Sequence, residues 1–343
     1  MKSRQQIKPQ TRKMKNCNYI SIAISAALVI AAGIFAYAGT PQQEEIVIAG
    51  QQAQTPPREQ YGIVPPATPR SVVFAGEEID LTTQDRHERM DREMLSFCYS
   101  HINTTLQIKR ANRLFPIVEP ILRECGIPDD FKYLMIIESN GDIEARSPAG
   151  AGGLWQFMEA TGKEYGLEVN GEVDERYNIE KATRAACRYL KDSYREFGDW
   201  LTVAASYNTG RANVKKRAEA QKQPKAIDLV LLPETSRYIF RLLAVKTIFE
   251  KPANYGFILH SSDLYPTIPT TSVTVDSSVV CWADFAQQYD LTYLQLREAN
   301  PWIKGKSLNN RTGKRYNIQI PTPQALRYNP ENTTAHNENW VTE

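Results

Sequence analysis

Histidine and cysteine are scarce in this chain of 343 residues, with four of the first and five of the second. His87, His101, His260 and His336 are scattered, at no ligand spacing from one another or from the cysteines, so no zinc site is predicted. An excess of one charge is lacking too: 41 Lys and Arg stand against 39 Asp and Glu. A balance that close to neutral leaves no electrostatic footprint for a nucleic-acid partner. The cysteines beyond the N-terminal region, Cys98, Cys125, Cys187 and Cys281, follow no small disulfide scaffold and are assigned no pairs. Apart from these shortages the composition is that of an ordinary globular protein, with length for about two domains.

The N-terminal stretch from Tyr19 to Ala38 is apolar and carries no charge. Its length of about 20 residues suffices to span a bilayer. Lys2, Arg4, Lys8, Arg12, Lys13 and Lys15 precede it with no acid among them, which predicts a cytoplasmic N-terminus and an exported remainder. Ala36-Tyr37-Ala38 also fits a signal-peptidase site, so residues 1–39 read as a signal anchor or a signal peptide. Residues 40–80, rich in Gln, Pro and Thr, read as a linker that buries no core.

Helical periodicity begins near Asp85, where Met90, Met94, Phe97, Cys98 and Ile102 recur at spacings of three and four. A second helix is predicted from Lys109 to Cys125, with Pro116 and Pro120 breaking or kinking it. Ile127-Pro128-Asp129-Asp130 has the proline and acids of a helix start and leads into a run ending at Glu138-Ser139. Further helices are expected along the stripe from Ile179 to Phe197, stopped by Gly198, then over Leu201 to Tyr207 and Pro233 to Ile248. Residues 81–258 thus read as an all-α domain of about seven helices without a strand. Beyond Pro269 the pattern changes. Ser272–Val275 and Tyr316–Ile320 alternate like strands around two short helices, a β-α-α-β unit over residues 268–322, followed by a polar tail at 323–343 that is expected to be disordered.

Three stretches carry chemistry. Glu138 follows Leu134-Met135-Ile136-Ile137, so apolar walls and a helix C-terminus would both disfavour its carboxylate and raise its pKa. A raised carboxyl suits a general acid; the plainer reading is a helix-end acid in water. Between Ser147 and Phe157, Gly150, Gly152 and Gly153 permit positive φ or close approach to a ligand. Trp155 and Phe157 there either face sugar rings or fill the core, and Gln156 offers a donor and an acceptor. Tyr207-Asn208 follows an alanine-rich helix, where a phenol could hold a carboxyl group. Asp142, Glu144 and Glu159 are the neighbouring acids considered as a second catalytic carboxylate.

In order, Glu138-Ser139, then Ser147-x-x-Gly150-Ala151-x-Gly153-Leu154-x-Gln156, then Ala204-x-x-Tyr207-Asn208-x-Gly210 resemble the signature blocks of family 1 lytic transglycosylases. The resemblance is to their membrane-bound D type, whose catalytic domain is similar to goose-type lysozyme, and it covers roughly Asp85 to Gly256. Leu232-Pro233-Glu234-Thr235-Ser236-Arg237-Tyr238 fits it as well. Ser206 stands where the family usually has alanine, and Asn140-Gly141 where it has glycine and an aromatic. The β-α-α-β unit is similar to a LysM carbohydrate-binding module through Leu296-x-x-x-Asn300, with Asp276-Ser277-Ser278 in place of a Gly-Asp turn.

The resemblance implies a mainly α protein: a lysozyme-like catalytic domain, then a small α+β module. It implies cleavage of the bond between N-acetylmuramic acid and N-acetylglucosamine, with closure of a 1,6-anhydro ring. Glu138 would act first as acid and then as base; Tyr207 would orient it, Ser139, Gln156 and Asn208 would contact substrate, and Tyr238 is a further candidate. No metal or organic cofactor is implied. The partners are peptidoglycan glycan strands and, through the N-terminal segment, the membrane, in the periplasmic part of the cell envelope. The same residues would serve a lysozyme-type hydrolase, and a catalytically silent peptidoglycan clamp is the alternative outside enzymology.

Overall fold

The computed structural model describes residues 64–342; the apolar Tyr19–Ala38 segment, and the anchor or signal read from it, lie outside these. Among the described residues no helix is long and apolar enough to cross a membrane.

The first element is a hairpin, which corrects both the linker expected through residue 80 and the absence of strands before Ile258. β1 (Ser71–Phe74) pairs antiparallel with β2 (Glu77–Asp80). Val72, Phe74 and Ile79 turn inward, and the ring of Phe74 lies 5.6 Å from that of Phe131. Ala75 and Gly76, both at positive φ, make the two-residue turn, and the Ala75 amide donates to Asp130 at 2.7 Å. Four-residue strands are too short to be seen as alternation beside a polar segment.

α1 (Gln84–Tyr99) buries Met90, Met94, Phe97 and Cys98 as its periodicity predicts. It stops at Ser100, so Ile102 falls in α2 (His101–Glu124) and is 78% exposed instead of continuing the stripe. α2 runs through Pro116 and Pro120 as one helix. Leu114, Phe115, Val118, Ile121 and Leu122 are all buried along it, and this packing offsets the backbone bonds that proline removes.

The next helices are α3 (Lys132–Ser139), α4 (Glu159–Glu164), α5 (Ile179–Phe197) and α6 (Trp200–Thr209), then α7 (Arg211–Gln221) and α8 (Pro233–Glu250). α5 ends at Gly198 with φ 66°, the left-handed cap its sequence announces. α7 was not expected; it buries Val214 alone and so shows no apolar stripe. α8 lies at the centre, packed against α1, α3 and α6, with Tyr238, Leu242, Val245 and Phe249 among its buried residues.

The C-terminal unit follows the predicted order: β3 (Thr270–Val275), α9 (Trp282–Gln287), α10 (Tyr293–Ala299) and β4 (Tyr316–Pro321). β3 and β4 pair antiparallel from Thr270 opposite Pro321 to Val275 opposite Tyr316. Asn300 explains the Leu296-x-x-x-Asn300 pattern. Fully buried, it donates to the carbonyls of Leu296 (2.9 Å) and Gln319 (2.7 Å) and accepts from the Gln319 amide (2.8 Å), fastening α10 to β4. The unit rests on the 168–177 segment of the helical domain: Asp174 N donates to Trp302 O at 2.8 Å, and Lys304 N to Glu172 O at 2.8 Å.

The tail is not a loose polar end. Trp340 is 2% exposed and donates to the Phe249 carbonyl at 2.6 Å, while His336 Nε2 lies 3.0 Å from Glu119. One apolar side chain, spaced to reach the end of α8, overrides the polar average of this segment. Cys98, Cys125, Cys187 and Cys281 are free thiols.

Candidate active site

α3 is short and almost wholly buried, with Leu134, Met135, Ile136 and Ile137 in the core. Its end is set by Asn140 at φ 56°, a left-handed position asparagine tolerates, followed by Gly141 at φ 66°. α2 holds that end: Gln107 Nε2 donates to Asn140 Oδ1 at 2.7 Å, and Arg110 donates to the Asn140 carbonyl at 3.1 Å. Glu138 is thereby fixed in the last turn, on an apolar base.

The acid is half-buried. Its pKa is raised from the ordinary carboxylate range to about 7. Burial is the largest cause; the Tyr238 phenol and the Arg241 guanidinium work against it, and Glu234 adds to it. Tyr238 donates to Glu138 Oε1 at 2.5 Å across 100 residues of sequence. The phenol is itself buried, and burial together with Glu138 pushes its pKa well up, so it stays protonated. Arg241 lies one turn beyond Tyr238 on α8, within 3.8 Å of Glu234, and Glu234 precedes Tyr238 by one turn. One face of α8 thus carries the groups that tune the acid.

The structure corrects the part assigned to Tyr207. Its hydroxyl donates to the Trp155 carbonyl at 2.7 Å, and the bond to Glu138 belongs to Tyr238. Tyr207 still lies within electrostatic reach, since after burial the Glu138 charge is the next cause of its raised pKa. What it holds is the glycine-rich segment. Gly153, at φ 75°, could take no side chain: a Cβ there would come 1.9 Å from the Arg176 carbonyl. Gln156, also at positive φ (47°), donates from Nε2 to the carbonyls of Gly153 (2.8 Å) and Ala145 (3.1 Å). Trp155 and Phe157 are core residues, not platforms for a ligand; Trp155 Nε1 donates to Thr183 at 2.9 Å.

Ser139 is buried and its hydroxyl donates back to the Met135 carbonyl at 2.9 Å, within its own helix. Asn208 Oδ1 accepts from Thr235 at 2.9 Å, which ties the end of α6 to the first turn of α8. Sequence reasoning missed Arg241 and Glu234. Their spacing of three and four from Tyr238 was the available signal. The acids weighed as a second carboxylate are occupied elsewhere or exposed: Asp142 meets Arg110 at 3.5 Å, Glu159 meets Lys163 at 2.7 Å, and Glu144 is exposed. No cluster of His, Cys, Asp or Glu able to hold a metal occurs among the described residues.

Residues 123–230 match the family model of the transglycosylase SLT domain, and residues 271–324 that of the soluble lytic transglycosylase C-terminal LysM-like domain. The chain therefore carries an SLT domain followed by a LysM-like domain. It is 29% identical over 260 residues to membrane-bound lytic murein transglycosylase D of Escherichia coli, in strain K12 and in strain CFT073 alike. That match takes in 74% of this chain and 56% of the relative, so the chain spans little more than half the length of the curated relatives it matches. Among solved structures, the 70 kDa soluble lytic transglycosylase of Escherichia coli aligns over 50% of this chain and 31% of its own, at 18% identity and a TM-score of 0.36. An inactive mutant of the lytic transglycosylase Slt from Pseudomonas aeruginosa aligns over 49% and 31%, with 18% identity and a TM-score of 0.34.

Proposed function

We propose that this chain is a lytic transglycosylase of peptidoglycan, cleaving the β-1,4 bond between N-acetylmuramic acid and N-acetylglucosamine. The observation that carries the reading is the Glu138–Tyr238 pair, its acid within the SLT match and its phenol just beyond it: a carboxyl at about pKa 7, bonded to a buried phenol. At that value the acid is partly protonated near neutral pH. It can give its proton to the glycosidic oxygen as the bond breaks, leaving a carboxylate that Tyr238 and Arg241 stabilise. The carboxylate then takes the proton of the muramoyl 6-hydroxyl, whose oxygen closes on the sugar carbon to form the 1,6-anhydro ring. Glu138 ends the cycle protonated, as it began. Ring closure is favoured because the hydroxyl belongs to the same sugar.

Tyr238 is assigned the positioning of Glu138, and Tyr207 the positioning of the Trp155–Gln156 backbone. Gln156, through its free carbonyl end, and Asn208 are assigned substrate contacts, whereas Ser139 has its hydroxyl committed to α3. The LysM-like domain is assigned to glycan strands. The assigned location is the periplasmic side of the inner membrane; the name of the membrane-bound relative and the basic, then apolar N-terminus support that reading.

The test is mass spectrometry of purified peptidoglycan digested by the protein and by Glu138→Gln. Products lighter by one water than hydrolytic muropeptides, absent from the variant digest, are expected. Reducing-end products would make the enzyme a lysozyme-type hydrolase instead. Release by neither protein, with peptidoglycan still sedimenting the chain, would make it a binding protein.

A further inference from the structure

Two of the four described cysteines meet. Cys125 closes α2, its amide bonded to the Ile121 carbonyl at 2.9 Å, and Cys187 lies midway along α5. α2 and α5 pack against one another, and an ion pair marks their register at this level. Arg184 donates to both carboxylate oxygens of Glu124, at 2.9 and 2.8 Å. A two-bond pair of this kind sets orientation as well as distance. Glu124 directly precedes Cys125, and Arg184 stands three residues before Cys187, on the same face of α5. The two side chains thus face one another, near enough for their thiols to hydrogen-bond. Cys125 also packs against the apolar core that holds Cys187.

The other two sit apart from this pair. Cys98 is buried on α1, and burial is what pushes its thiol up, to about 11. Cys281 stands at the start of α9 in the C-terminal unit. Within the pair, Cys187 is 1% exposed and Cys125 is half-buried. Burial, and after it the Cys125 thiol, push the Cys187 thiol up; Lys191 and Arg184, a turn away on either side, act against them and favour its thiolate.

We propose that Cys125 and Cys187 are a disulfide-forming pair, closed in the exported protein by a thiol–disulfide oxidant. The proposal rests on the reading of residues 1–39 as an export segment, because cytosolic thiols stay reduced. Cys125, the more accessible sulfur, attacks the oxidant's disulfide as its thiolate and releases one of the oxidant's sulfurs. The Cys187 thiolate then attacks the Cys125 sulfur of the mixed disulfide and displaces the oxidant's second sulfur. Two electrons pass from the pair to the oxidant, and the two thiol protons end on the oxidant's sulfurs. The bond closes the chain from residue 125 to residue 187, a loop that contains Glu138, the glycine-rich segment and the Asp174 shelf under the LysM-like unit. A cross-link around so long a loop stabilises by restricting the unfolded chain.

The experiment has two arms, both with the full chain and with Cys125→Ser. In the first, free thiols are trapped in intact cells with an alkylating agent, and the purified protein is digested with trypsin without reductant. Mass spectrometry is expected to find the peptides Glu124–Lys132 and Ala185–Arg188 joined, with Cys98 and Cys281 alkylated singly. Reduction should separate the two peptides with a gain of two hydrogens. Reductant is also expected to lower the melting temperature of the unaltered chain by roughly 5–10 °C and to leave Cys125→Ser unmoved. In the second arm, protein made in the cytoplasm and purified reduced is equilibrated with oxidised and reduced glutathione, and the same joined peptides are expected. A pair that stays reduced in both arms, a bond from either cysteine to Cys98 or Cys281, or a melting temperature moved equally in both proteins overturns the proposal. Circular dichroism of Cys125→Ser separates loss of the bond from loss of the fold. Closure in glutathione, with a reduced pair in the protein trapped in cells, leaves the pair standing and overturns the export reading.

Discussion

Replacing Tyr238 by phenylalanine removes one oxygen from a buried site and leaves the ring packing intact. The lost group is the donor 2.5 Å from Glu138 Oε1. A hydrogen bond to a charged partner is worth about 1.5–3 kcal/mol and one to a neutral partner about 0.5–1.5 kcal/mol, so the phenol favours the carboxylate by about 1–1.5 kcal/mol. At about 1.36 kcal/mol per unit, that difference is roughly one pKa unit. Without the phenol, the acid that now stands at about 7 should rise by that amount. The expected pH profile of kcat/KM therefore has its descending limb, which reports deprotonation of the acid, moved upward by about one unit. The plateau rate should fall about tenfold, since the carboxylate left after proton donation loses its partner. An assay following release of soluble muropeptides between pH 5 and 9 measures both. A limb that moves downward would mean that the phenol accepts from a protonated Glu138, and the assigned direction of donation would be refuted. An unmoved limb with reduced rate would reduce Tyr238 to packing alone.

Glu138→Gln should alter stability as well as activity. The folded pKa of about 7 lies above the ordinary value of 4.5, so the acid's contribution to stability is complete below 4.5 and lost as pH rises through 7. Thermal melts at pH 5 and pH 9 should show the variant gaining on the parent at the higher pH, by at most about 3 kcal/mol; an equal difference at both would contradict the raised pKa. Gly153→Ala drives a methyl group to 1.9 Å from the Arg176 carbonyl and should destabilise by more than about 3 kcal/mol, read as a lower denaturant midpoint. Trp340→Ala empties a buried site against Phe115 and Phe249 and should cost about 3–5 kcal/mol, which a disordered tail would not show.

Most of the helical architecture was legible because helices with one buried face print their period on the sequence. α5 is the clearest case, bounded by Asn178, whose side chain accepts from Lys181 N, and by Gly198. What escaped had no period to print: the four-residue strands of the hairpin, α7 with Val214 as its one buried residue, and a tail held by Trp340. Glu138 was legible from the apolar run before it. Its partner was not, because nothing in a linear sequence brings Tyr238 across a hundred positions, and Tyr207-Asn208, nearer in the chain, presented the more conspicuous phenol. The choice between Trp155 as a sugar platform and as a core residue could not be made from composition. It turns on Thr183, a full helix away, which accepts its indole N–H.

In the proposed mechanism Glu138 passes through two states, and these account for the part of α8. Burial alone would raise the acid until it held its proton too tightly to give it up; exposure would leave it ionised at neutral pH. Lifting it and then partly restoring the carboxylate brings it to about 7, between the two failures. The lift comes from α3 and its apolar surroundings, and the restoration from Tyr238 and Arg241, one turn apart on α8. Because α3 is pinned at Asn140 by α2 and α8 is pinned to α6 through Thr235 and Asn208, the distance between acid and phenol is set by helix packing and not by a loop. That fixed distance is what the proposed cycle asks of a single carboxyl, which gives a proton and takes one back without a second acid to share the work.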